Sequence, residues 1–185
     1  MTATQIAPTA ISTNGAQPHK SLTDTETYSK NVLGPVSFTL SNLNVRGYAG
    51  EPEPPVHVAP EQSQYIIASN EQFEVSVDVE FNNSPLAQLM MCLGTKVSVC
   101  FSFEGIGAKA VELDLSDAIV TEKGRTQYTL KWVGTPDAAK LTPGFYAIAA
   151  VATVGPIDHP CAPKCAFGFG YIAKVLLQIY SAFEC

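Results

Sequence analysis

Gln72-Phe73-Glu74-Val75-Ser76-Val77-Asp78-Val79-Glu80-Phe81 decides the fold class. Phe73, Val75, Val77, Val79 and Phe81 alternate with Glu74, Ser76, Asp78 and Glu80. A period of two puts the first set on one face of a strand and the second on the other. One apolar face and one wet face mark a half-exposed antiparallel sheet, because parallel strands are covered on both sides. Glu74, Asp78 and Glu80 are therefore expected on the solvent side, ionised and without a catalytic role.

The pattern recurs on either side. Val97, Val99, Phe101 and Phe103 alternate with Ser98, Cys100 and Ser102, and Tyr128, Leu130 and Trp132 with Thr129 and Lys131. Val36 to Leu40 reads as a first strand, Gln64 to Ala68 as a short edge strand, and Phe145 to Val154 and Phe167 to Ile179 as the last two. Ala110 to Leu115 and Ala118 to Thr121 read as two short strands parted by Ser116-Asp117. Leu86 to Leu93 fits a helical stripe and a strand equally well. Gly168 and Gly170 strip the start of the last strand of side chains, so that another backbone or ring can approach.

Seven or eight strands separated by Gly, Pro and Asn turns, with no helical pattern of 10–15 residues between them, exclude a βαβ core. They predict an all-β Greek-key sandwich over residues 35–185. Pro52, Pro54, Pro55 and Pro60 interrupt it with an excursion at 49–63, since proline offers no ladder donor. Residues 1–34, rich in Thr, Ser, Ala, Asn and Gln, cannot build a core and are expected to form an extended or disordered arm.

Leu141-Thr142-Pro143-Gly144-Phe145-Tyr146-Ala147-Ile148-Ala149-Ala150 resembles the turn into the penultimate strand of immunoglobulin-like and fibronectin-type-III-like sandwiches. The resemblance covers about residues 72–180, at the level of architecture. It implies that Tyr146 is a corner tyrosine whose hydroxyl ties back to the preceding turn. The cross-sheet cysteine pair of a true immunoglobulin domain is absent: valines line the corresponding strand, and Trp132 stands on a later one.

Composition narrows the function. Of the 185 residues 46% are hydrophobic and only 15% charged, against roughly 25% charged in an ordinary soluble domain. So little charge leaves two readings: both faces of the β layers are covered, or part of the surface is buried against another chain. The net charge is −6, and Glu51 to Glu104 holds eight acidic residues against the single Lys96, a field that repels nucleic acid. Met1 to Lys30 lacks a basic and apolar leader, and the longest apolar runs are too short for a membrane-spanning helix. A cytoplasmic location is the resulting expectation.

Reactive side chains gather in Asp158-His159-Pro160-Cys161-Ala162-Pro163-Lys164-Cys165. His159, Cys161 and Cys165 are the candidate metal ligands, because an imidazole and two thiolates in one loop can hold zinc, although the fourth ligand has no spacing to support it. A disulfide between Cys161 and Cys165, or from either to Cys185 of the same or a neighbouring chain, is a second reading, and a proline-stiffened loop with reduced thiols is the third and plainest. No cofactor motif occurs, and no pair of acid and base side chains can be named as catalytic. The leading expectation is a structural or interaction protein that joins itself or a protein partner through its arm and an uncharged β surface. The alternative is a sandwich binding a small apolar ligand among Phe101, Phe103, Tyr128 and Trp132.

Overall fold

The computed structural model describes residues 26–29, 36–48, 64–107, 111–157 and 168–182. They form two stacked sheets around one core. The smaller sheet has the order β2–β4–β7, from Phe38–Gly47 (β2), Phe73–Phe81 (β4) and Gln127–Gly134 (β7). The larger has the order β9–β8–β5–β6, from Gly168–Tyr180 (β9), Gly144–Pro156 (β8), Thr95–Ile106 (β5) and Leu113–Val120 (β6). All these neighbours are antiparallel. Among these seven strands the chain changes sheet between β4 and β5, between β6 and β7, and between β7 and β8, as in an immunoglobulin-like Greek-key sandwich.

Two short segments complete the larger sheet at the outer edge of β9. Glu26–Ser29 (β1) pairs antiparallel with Gly168 to Tyr171, and Gln64–Ala68 (β3) pairs parallel with Leu176 to Tyr180. Four residues of the expected arm thus carry a strand, and the Pro-rich excursion at 49–63 lies outside the described residues.

The alternation of β4 puts Phe73, Val75, Val77, Val79 and Phe81 in the core. Val97, Val99, Phe101 and Phe103 of β5 meet them from the opposite sheet, and Phe73 stands edge-on to Phe103 at 6.3 Å. Fully burying each such side chain contributes roughly 1.5–3 kcal/mol. The four aromatics expected around an apolar ligand are spent on this packing: Phe101, Phe103 and Tyr128 are buried, and the half-buried Trp132 ring lies 5.3 Å from that of Phe73. The indole also covers Gly134, where an added Cβ would clash with the ring.

Two strands run past the point where their alternation fails. Asn42 and Leu43 of β2 oppose Val77 alone, and Asn42 takes φ 53°, a left-handed conformation that Asn tolerates. In β9, Lys174 is extra between the pairs Ala149↔Ala173 and Ile148↔Val175. Each bulge shifts the parity, so that Phe38, Leu40, Leu43 and Val45 all face inward, as do Ile172, Val175, Leu177 and Ile179.

Leu86 to Leu93 resolves as helix. Ser84 accepts a hydrogen bond from the Ala87 amide at 3.1 Å, Pro85 occupies the first turn, and Gly94 at φ 79° ends Pro85–Leu93 (α1). A four-residue helix, Pro136–Ala139 (α2), is capped in the same way by Thr135. Residues 113–120 are one strand and not the tail of one and start of another: Ser116 and Asp117 sit mid-ladder opposite Cys100 and Val99.

Tyr146 is fully buried, and its hydroxyl donates to the Thr142 carbonyl at 2.6 Å. This is the tyrosine corner that the resemblance implies. Tyr128 makes a similar tie at the start of β7, donating to the Arg125 carbonyl at 2.7 Å and accepting from the Glu122 amide at 3.0 Å.

Candidate functional site

The outer faces of the two sheets differ in chemistry. On the smaller sheet the polar side chains of β4 are bound to their neighbours. Glu74 Oε1 accepts from Arg46 Nη2 at 2.7 Å and Oε2 from Lys131 Nζ at 3.1 Å. Asp78 accepts from Asn42 Nδ2 at 2.7 Å and from Thr129 Oγ1 at 2.6 Å, and Glu80 from Gln127 Nε2 at 3.1 Å. The solvent position expected for Glu74 is corrected: its side chain is 5% exposed, between Arg46 of β2 and Lys131 of β7. A carboxylate held this far from water needs both cations. Arg46 Nε is itself buried with no hydrogen-bond partner.

The larger sheet presents the opposite surface. Register aligns Cys100, Val151 and Tyr171 in one row across β5, β8 and β9; Ser102, Ala149 and Ala173 form the next, then Glu104, Ala147 and Leu176, then Ile106, Phe145 and Gln178. None of the thirteen residues of β8 is charged. Phe145 is 52% exposed and Tyr171 47%, with Leu176 and Val151 only a little less open. Exposed Ile66 of β3, paired with Gln178, extends the surface toward the sheet edge. Cross-strand and diagonal neighbours lie within about 5–8 Å, so these side chains form one patch and not scattered residues.

Cys100 is half-exposed in the first of those rows. Burial, reinforced by the Asp114 carboxylate, pushes its thiol above the ordinary value, which disfavours the thiolate a nucleophile needs. Cys92 and Cys100 are free thiols. His159, Cys161 and Cys165, the candidate metal ligands, lie outside the described residues, as does Cys185. Among the described residues no group of three or more His, Cys, Asp or Glu could hold a metal ion. None of their helices is long and apolar enough to cross a membrane.

The sheet edges are also unequal. Asp117 of β6 reaches across to β7, where its Oδ2 accepts from the Lys131 amide at 3.0 Å, while Oδ1 accepts from the Ala118 amide at 2.8 Å. The bulge at Asn42 interrupts β2. The outer edge of β9 takes up strands along two stretches, 168–171 and 176–180, with 172–175 in neither ladder.

No protein-family model matches this chain, and no characterised protein matches it in sequence. Among solved structures it resembles AggA, the major subunit of aggregative adherence fimbriae type I from Escherichia coli. Identity is 12% over 80% of this chain and 95% of that one, with a TM-score of 0.36. Likeness at this level does not carry function from one chain to the other. The cytoplasmic location expected from Met1 to Lys30 does not stand: the solved chain is a fimbrial subunit, and a missing leader assigns no compartment.

Proposed function

We propose that this sandwich is a structural or interaction protein that associates with copies of itself through the charge-poor outer face centred on β8 and β9. The observation that supports it is the cluster of Phe145, Val151, Tyr171 and Leu176, exposed together around a central strand without charge. Monomeric soluble proteins rarely leave a continuous apolar patch of more than a few hundred Å² in water. Burying such a patch against its own copy removes the cost at every subunit.

Sedimentation velocity over a concentration series tests the reading. The full chain is expected to associate in the micromolar range, and Val151→Lys, which puts a cation within the patch, to raise Kd about tenfold or more, a change of about 1.4 kcal/mol. A full chain that stays monomeric at the highest soluble concentration, or a Val151→Lys chain that associates like the parent, rules the reading out.

A further inference from the structure

We infer that the outer face of the smaller sheet carries a binding site for one unit of a neutral saccharide, in a depression beside Asp78. The site does not depend on the self-association proposed above. In a sandwich the outer faces of the two sheets point in opposite directions, so a copy seated on the larger sheet leaves the smaller one in solvent.

The chemistry changes along this one face. Toward Gly47, Glu74 is held between two cations, Arg46 and Lys131. Toward Phe81, Asp78 and Glu80 project from the same strand, and among the described residues no cation stands within ion-pair distance of either. Their partners are neutral groups: Asn42 and Thr129 for Asp78, Gln127 for Glu80. An ionised carboxylate offers about four acceptor positions, so both keep capacity beyond these bonds. Ser41, Asn42, Asp78, Glu80, Arg125 and Thr129 line a depression of about 310 Å³, at the lower end of the range for small-molecule sites.

Two features hold the lining in place before any ligand arrives. Asn42 keeps φ 53°, a conformation that a residue other than glycine retains only where its surroundings impose it, and the bulge there brings its amide to Asp78 Oδ2 at 2.7 Å. Arg125 Nε donates to the Gln127 carbonyl at 2.9 Å, and the guanidinium carbon lies 4.8 Å from the centre of the Tyr128 ring. The guanidinium is thus oriented by Nε and by the ring, which leaves its terminal N–H donors to a ligand. Little ordering opposes binding at a site already arranged.

Charge then selects the ligand class. A cation meets Arg125, an anion meets Asp78 and Glu80, and an apolar molecule finds no hydrocarbon, since Val79 and Tyr128 of the lining are buried. A hydroxyl donates to a carboxylate and accepts from a guanidinium or amide. Neighbouring hydroxyls on one uncharged ring therefore satisfy both kinds of group, with charge-assisted hydrogen bonds to the ionised ones.

Saturation-transfer NMR on the full-length chain tests the site, because it reads weak binding to monomer and oligomer alike. The probes are the methyl glycosides of glucose, mannose and galactose, with glucuronate and glucosamine as charged counterparts. At least one neutral glycoside is expected to bind with Kd on the order of 1 mM. Arg125→Ala, which removes the oriented donors, is expected to raise that Kd about fivefold or more. Ser41→Val puts two methyl groups where the hydroxyl stands and leaves the hydrogen bonds of Asp78 and Glu80 intact, and the same loss is expected. Should Arg125→Ala fail to fold, Ser41→Val decides alone. No transfer to any neutral glycoside, binding unchanged in Ser41→Val, or tighter binding of glucuronate or glucosamine than of every neutral probe overturns the inference.

Discussion

Gly170→Ala tests how closely the two sheets approach at the start of β9. A Cβ added at Gly170 would lie 2.7 Å from Phe38 Cε2 and 3.2 Å from both Phe38 Cζ and Leu40 Cδ1. Phe38 cannot swing aside freely, because it is buried and its ring packs 5.7 Å from that of Phe81. Forcing a methyl into such a core costs about 1–3 kcal/mol. Replacing glycine also restricts the unfolded chain and returns about 0.4–1 kcal/mol. The net expectation is a loss of up to about 2.6 kcal/mol, read by urea denaturation with the single Trp132 as the fluorescent probe and with unchanged m. Phe38→Leu alone costs up to about 1.5 kcal/mol, and the double variant is expected to fall short of the sum by at least about 0.5 kcal/mol, since the smaller side chain gives the methyl room. Additive losses in the double variant would refute the close approach of β2 to β9.

Two further variants examine ties within the sandwich. Tyr146→Phe keeps the ring against Phe103 but removes the hydrogen bond to the Thr142 carbonyl; a loss of about 1–2 kcal/mol is expected, lowering Tm by roughly 2–4 °C per kcal/mol, and an unchanged Tm would show that the hydroxyl does not hold the corner. Glu74→Ala strips Arg46 and Lys131 of their shared carboxylate; because Lys131 is largely exposed and Arg46 partly so, the loss is about 1–3 kcal/mol, below that of a fully buried pair, with Glu74→Gln retaining part of it in the same denaturation assay.

Strands whose alternation is unbroken were legible in the sequence. Phe73 to Phe81, Val97 to Phe103 and Tyr128 to Trp132 each keep one parity to their ends, and each stands in the sheet with that parity inward. Alternation predicts β2 only as far as Leu40, since Asn42 shifts the phase and Leu43 and Val45 then seem to face the wrong way. Only the pairing partner, Val77 opposite two residues, reveals the bulge. Ser116-Asp117 imitates a turn because β6 is an edge strand with no fully buried residue, and such a strand tolerates turn formers on its wet face. The helix over Pro85–Leu93 is decided by its caps, Ser84 and Gly94, and not by its apolar spacing. The burial of Glu74 is hidden in the sequence for a related reason: it depends on Arg46 and Lys131, which only the strand order brings to its two sides.

The candidate surface is legible in a different way, through where charge is missing. The low charge fraction of the chain is not spread evenly over the fold. Arg46, Glu74, Asp78, Glu80 and Lys131 lie on the smaller sheet; on the larger one Lys96, Glu104 and Asp114 stand on β5 and β6, and β8 carries no charge. The shape of the charge-poor face also discriminates among occupants. Ala147, Ala149 and Ala173 lie on adjacent strands between the larger Phe145, Val151, Tyr171 and Leu176, so the centre of the patch is low and its surround is tall. Small-molecule sites are concave and enclose most of their ligand. A broad, shallow face of strands instead suits a second sheet stacking at about 10 Å, with side chains of each filling the spaces of the other. That complementarity favours a protein surface over a small apolar molecule as the occupant of the face, and a second copy supplies it with no further component.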